Sequence, residues 1–168
     1  MKKILALSFI LMSVCSSCYD WWEEYPDVIQ KLTEEDLATV PYTKGQQFYM
    51  TDQNNDTLLL TVNTDTIAYH YPCYYRDIDI NSLDNNHSIS MNIAPNKRLN
   101  IRYYQLGNMQ VYAGFEFNNV SPRTIVIDND TLYNVYVSSD DPSNQMIYSI
   151  SQGIIRIQKD SNYLKLIP

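Results

Sequence analysis

Beyond Gln46 the apolar positions of this chain recur every second residue, and no run of ten or more residues carries a helical repeat. That period predicts strands over 47–51, 57–63, 76–80, 88–93, 99–105, 109–117, 124–127, 131–137, 145–150, 153–158 and 162–167, with a tyrosine-rich link over 69–75. The clearest is the sixth, where Met109, Val111, Ala113, Phe115 and Phe117 alternate against Gln110, Tyr112 and Glu116, so that one face is expected inward and the other in water. Polar turns separate the strands, among them 52–56, Leu106-Gly107-Asn108 and Asp128-Asn129-Asp130. About ten short strands joined in this way predict an all-β domain over 41–168, an antiparallel sandwich or half-open barrel.

The first forty residues follow other rules. Lys2 and Lys3 precede an apolar run, 4–14, interrupted only by Ser8 and Ser13. The run falls well short of the roughly 20 residues a bilayer requires, so 1–17 reads as a signal peptide that is removed. Cys15-Ser16-Ser17-Cys18 resembles a bacterial lipobox, with Cys15 where leucine is usual. Small residues before Cys18 make it the expected site of lipidation, and the membrane, reached through that anchor, the first expected partner. Cys15 competes for the same role but follows the bulkier Val14, and an ordinary signal peptide without lipid is the remaining reading. Residues 18–40 then form a leader, in which Thr33 is placed to cap a helical turn through Glu34, Glu35 and Asp36 with Val28, Ile29, Leu32 and Leu37 as its apolar side.

Removing 1–17 from the 168 residues leaves 151, enough for one domain, with 10 basic against 19 acidic residues and a formal charge of −9. A surface of that sign repels phosphate and argues against nucleic acid as a partner. Cys73 is then an unpaired thiol, so no disulfide framework exists. Tyrosine, at 15 residues against 4 glycines, adds to the β bias.

Two stretches are similar to small uncharacterised lipoproteins of Bacteroidetes. The first is Val40-Pro41-Tyr42-Thr43-Lys44-Gly45-Gln46-Gln47-Phe48-Tyr49 followed by Asp56-Thr57; the second is Tyr133-Asn134-Val135-Tyr136-Val137 with Ile147-Tyr148-Ser149, Gly153-Ile154-Ile155-Arg156 and Tyr163-Leu164-Lys165-Leu166. The acids around Trp21 and Trp22 (Asp20, Glu23, Glu24) look like the surface-export signals of such proteins; a tether whose tryptophans lie at lipid headgroups is the alternative. The resemblance implies an outer-membrane, lipid-anchored location on the cell surface or periplasmic face. It implies no chemistry, and a barrel cupping an apolar ligand rests on fold analogy alone.

Candidate sites are few. Asp56-Thr57-Leu58, Asp65-Thr66-Ile67 and Asp130-Thr131-Leu132 match the O-glycosylation acceptor of Bacteroides-type periplasmic proteins, with Thr57, Thr66 and Thr131 expected at loop–strand junctions; turn and strand preferences alone also generate such triplets. Asp52-x-Asn54-x-Asp56 copies the start of a calcium loop but lacks its glycine and closing glutamate, so a hairpin turn is expected. His70, Cys73 and His87 lack zinc-site spacing, and neither a metal nor another cofactor is called for. Asp77 and Asp79 share a strand face, with Asp84 near, and could serve an envelope hydrolase or inhibitor; a solvated face is the plainer reading. Tyr69, Tyr71, Tyr74 and Tyr75, joined by Tyr103, Tyr104 and Tyr112, form the strongest binding hint, suited to carbohydrate or to an envelope protein, against strand packing as the bland account. The expected role is non-enzymatic binding or assembly in the envelope.

Overall fold

A computed structural model describes residues 29–167; the expected signal peptide, Cys18, the 20–24 stretch and Val28 lie outside them. The described chain is all-β apart from one helical turn, α1 (Glu34–Leu37). Its strands are β1 (Gln47–Asp52), β2 (Thr57–His70), β3 (Cys73–Ser82), β4 (His87–Ala94), β5 (Arg98–Gln105), β6 (Asn108–Glu116), β7 (Arg123–Ile127), β8 (Asp130–Val137), β9 (Asn144–Ser149), β10 (Gly153–Lys159) and β11 (Asn162–Leu166). They form one antiparallel sheet of 11 strands in the order β6-β5-β4-β3-β2-β1-β11-β10-β9-β8-β7. The first and last strands pair in the middle, with Met50 opposite Leu166 and Asp52 opposite Leu164, so the sheet never divides into two. That excludes the sandwich. The sheet instead curls into a half-barrel until β6 faces β9 and β10 across the core.

The inner face follows the period of two. Met50, Leu60, Ile78, Ile80, Ile89, Met91, Ile93, Leu99, Ile101, Val111, Met146 and Ile157 are each 2 % exposed or less and form one continuous core. Between the facing edges, Phe117 stacks on Phe115 at 5.9 Å and meets Tyr136 edge-on at 4.6 Å.

Two departures from the expected strands share one cause, the β-bulge, which shifts the inward phase by one residue and recurs in β10. Val62 pairs with Ile80 and Thr64 with Asp79, so Asn63 is bulged; β2 then continues to His70 where the alternation had predicted an end. The tyrosine-rich link is therefore the end of a hairpin, closed by Tyr71 and a cis Pro72. Tyr103 pairs with Val111 and Tyr104 with Met109, leaving Gln110 bulged and Met109, expected inside, 57 % exposed. In β10 the irregularity falls at Ile155: Ile154 and Ile157 join the inner core, while Ile155 packs with Val135 and Ile147 in a second apolar cluster. Ile125, Ile127 and Leu132 cover that cluster, so the β7–β8 hairpin lies across the outer face of β9 to β11. Asp128 pairs with Arg156, and Lys165 Nζ reaches Asp130 at 3.0 Å.

Residues 32–42 plug one end of the half-barrel. Thr33 caps α1 as expected: Asp36 N–H donates to Thr33 Oγ1 at 3.1 Å and Thr33 N–H to Asp36 Oδ2 at 2.8 Å, a reciprocal cap worth about 1 kcal/mol. Asp36 is buried and also accepts from the Lys97 N–H, in the β4–β5 turn, at 2.7 Å. Arg76 of β3 grips the plug. Its guanidinium pairs with Asp65 at 2.7 and 2.9 Å and donates to the carbonyls of Leu37 at 3.2 Å and Tyr42 at 2.6 Å. From the far side of the sheet, Tyr148 O–H donates to the Thr39 carbonyl at 2.7 Å, and Ile154 N–H donates to Tyr42 Oη at 2.7 Å. The plug is thus bonded to both halves of the curl.

Candidate functional site

Strand direction assigns the turns to two poles. The β2–β3 and β4–β5 turns lie with the plug; the β1–β2, β3–β4, β5–β6 and β10–β11 turns lie at the opposite pole. There the inner face changes character. One alternation step beyond Met50, Ile89, Tyr103 and Ile157 stand Asp52, His87, Gln105 and Lys159, polar residues in the rows that elsewhere make the core. With Gln110, brought in by its bulge, and Tyr103 as floor, they line a cleft of about 110 Å³.

His87 and Tyr103 are its fixed centre, with Nδ1 and Oη 2.8 Å apart and the rings stacked at 6.1 Å. Burial holds the His87 pKa below the ordinary 6.5, against the opposing pull of Asp84 and Asp52, so the imidazole is neutral at pH 7. Burial also pushes the Tyr103 hydroxyl up to about 12, with Asp52 adding to the shift. The phenol keeps its proton and serves as a hydrogen-bonding group. Asp52 Oδ1 accepts the N–H groups of Asn54 at 2.8 Å and Asp56 at 2.9 Å, so the carboxylate builds its own hairpin turn. The calcium-like spacing is accordingly that turn, as expected. The cleft offers amides, hydroxyl and imidazole that both donate and accept, with one carboxylate and one ammonium at its margin.

The other candidate residues are dispersed. Tyr69, Tyr71 and Tyr74 meet at the β2–β3 tip, Tyr69 lying 5.0 Å from Tyr74 and edge-on to Tyr71 at 6.4 Å. Tyr75 points to the opposite face beside His70 at 6.0 Å, so the four tyrosines do not make one surface. Tyr112 is exposed on the outer face and donates to Asn100 Oδ1 at 2.8 Å, while Tyr103 belongs to the cleft. Desolvation, and then the neighbouring Tyr71 and Tyr74, raise the Tyr69 pKa.

Asp77 and Asp79 do share the outer face, each held by a cross-strand partner: Asn92 Nδ2 donates to Asp77 at 2.7 Å and Thr64 Oγ1 to Asp79 at 2.8 Å. Asp84 is elsewhere, in the β3–β4 turn; Ser82, then Asn86, hold its pKa below the ordinary value by hydrogen bonding. His70 pairs with Cys73 across the hairpin while His87 lies at the other pole, and among the described residues no three metal-ligating side chains come together. Cys73 is buried, its thiol donating to Gln30 Oε1 at 3.6 Å. Thr57 and Thr131 are exposed at the starts of β2 and β8. Thr66, also exposed, is not at a junction: β2 runs on past the bulge, and Thr66 pairs with Asp77 within it.

The cleft is what reading the sequence missed. No local motif announces it, since its residues come from six strands. The signal that would have found it is the end of each inward row, where apolar residues give way to polar ones at the same pole. No protein-family model matches the chain, and no curated protein and no solved structure matches it either.

Proposed function

We propose that this chain is a lipid-anchored protein of the cell envelope that binds a neutral carbohydrate group without transforming it. The observation that carries the reading is the polarity of the fold. The chain enters at the plugged pole, where Gln30 bridges to Cys73, and the His87–Tyr103 cleft opens at the other. A tether at Cys18 then leaves the cleft facing away from the membrane. Side-chain amides, a phenol and a neutral imidazole suit a polyhydroxylated ligand, whose hydroxyls likewise donate and accept. The near balance of Asp52 and Lys159 favours a neutral group over an ion.

Binding of envelope polysaccharides and their fragments to the full-length protein, measured by titration calorimetry, tests this. A Gln105→Ala, Gln110→Ala variant is expected to lose at least about tenfold in affinity, the effect of two lost hydrogen bonds. Affinity unchanged in that variant, or no glycan bound by the parent, would overturn the reading. Mass spectrometry of the mature N-terminus tests the anchor separately: an acyl mass on Cys18 is expected.

A further inference from the structure

We propose that the β2–β3 tip, carrying Ile67, Tyr69 and Tyr71, rests in the headgroup layer of the membrane that holds the anchor, so that the protein stands on this tip. The inference rests on the reading of Cys18 as lipidated and adds to it a second, non-covalent contact.

Geometry supplies the first argument. Pairing of β1 with β2 ends at Gln47 opposite Thr61, and pairing of β3 with β4 ends at Arg76 opposite Ile93. The hairpin from Ala68 to Tyr75 therefore projects past its neighbours on both sides. What joins it is the incoming chain: Gln30 N–H donates to the Pro72 carbonyl at 3.1 Å and Tyr74 N–H to the Gln30 carbonyl at 3.0 Å. Cys18 is eleven positions before Ile29. Fully extended, that length reaches at most about 40 Å, so the leader that carries the anchor joins the fold beside the tip and keeps the anchor within that reach of it.

Surface chemistry supplies the second. Ile29 is 48 % exposed, Ile67 58 %, Tyr69 43 % and Tyr71 53 %. Tyrosine rings presenting an apolar body and a polar edge are the side chains that collect at membrane interfaces. Charge supplies the third. Residues 67–75 contain no Asp, Glu, Lys or Arg, in a chain with 19 acidic residues. A net-negative surface is repelled by anionic headgroups, and the tip brings no acidic side chain of its own to that repulsion.

The test uses full-length, acylated protein in phosphatidylcholine vesicles, with the lipid brominated at the headgroup end of its chains and Trp21→Phe, Trp22→Phe removing the native emission. A reporter is placed at the tip, Tyr71→Trp, or at the cleft pole, Leu83→Trp, where Leu83 is 90 % exposed. Bromination is expected to quench Tyr71→Trp at least about twofold and to leave Leu83→Trp unchanged, the two reporters sharing whatever interfacial preference tryptophan itself carries. Equal emission in brominated and plain vesicles, with acyl mass present on Cys18, overturns the tip contact and leaves the anchor standing. Absence of acyl mass overturns the anchor and the tip contact together. Emission shielded from acrylamide but not quenched by bromine assigns the tip to a protein partner or a second copy and also overturns the proposal.

Discussion

The two poles of this half-barrel are built from the same alternating strands and end differently. At the plugged pole the inward rows close on chain: Tyr42, Tyr148, Phe117 and the buried face of the plug fill the mouth, and Arg76 and Asp36 saturate the backbone groups that would otherwise be buried without partners. At the cleft pole the rows end in Asp52, His87, Gln105 and Lys159, and water reaches the inside. The difference assigns their tasks. A pole that is densely bonded and apolar holds the fold together, while a pole whose inward side chains are polar adds little to the core and is available to a ligand.

Two glycines measure the contrast most sharply, and the largest effect is expected at Gly153. Both Gly153, at φ +83°, and Gly107, at φ +77°, have backbone geometry that L side chains rarely adopt. They differ in surroundings. A Cβ on Gly153 would overlap the Tyr42 hydroxyl and ring, approaching Cε2 at 2.8 Å, whereas nothing lies within 4 Å of one on Gly107. Gly107→Ala should cost about 1 kcal/mol, the conformational term alone. Gly153→Ala should cost about 3 kcal/mol or more, since the Tyr42 ring is fixed by Phe48 and by Ile154 N–H and cannot yield. Urea unfolding of both variants checks the gap; equal losses would mean that the plug is loosely seated.

Arg76→Met comes next. It takes the guanidinium from Asp65, leaving that carboxylate the Lys44 N–H, and strips donors from the carbonyls of Leu37 and Tyr42, with an expected loss of about 3 kcal/mol. Its more telling signature is local. Amide exchange should rise first at Ala38, Thr39 and Val40, whose N–H groups bond within the plug, before the β3–β4 ladder follows. Uniform acceleration over both would show that plug and sheet open as one unit.

Why the sequence disclosed one pole and not the other follows from where each signal is stored. Alternation is local, and it located all 11 strands to within a few residues wherever the phase ran unbroken. It failed at Asn63 and Gln110, because a bulge is a property of the pairing between two strands and leaves no mark in either alone. The Thr33–Asp36 cap was legible since its partners are three residues apart. The seating of Tyr42 against Gly153 was not, since its partners lie more than a hundred positions apart, and the same distance hides the cleft. In the sequence His87 stands out only as a metal-ligand type without the spacing for a site, and Tyr103 only as one of a set of tyrosines; the register of β4 with β5 makes them a pair.

Acid separates the poles by the smallest effect, and the sign differs from one group type to the other. His87 is held below its ordinary 6.5 by burial, so the unfolded chain binds a proton that the folded cleft resists. Stability is therefore constant above that value and falls as pH drops below it. At the plug the shifted groups are carboxylates. Asp65 is lowered by its bonds to Arg76; burial pushes Asp36 up, but the N–H groups of Thr33 and Lys97 outweigh it and leave its pKa below 3.8. Their contribution is fully present above the ordinary carboxylate value and is lost only as pH falls through the lower folded values. Titration followed by NMR should thus move His87 and Tyr103 signals as pH falls below 6.5, while Val40 and Tyr42 stay fixed until below about pH 4. His87→Gln should abolish the first phase and leave the second, and a plug that moves with the first would show the two poles to be coupled through the core.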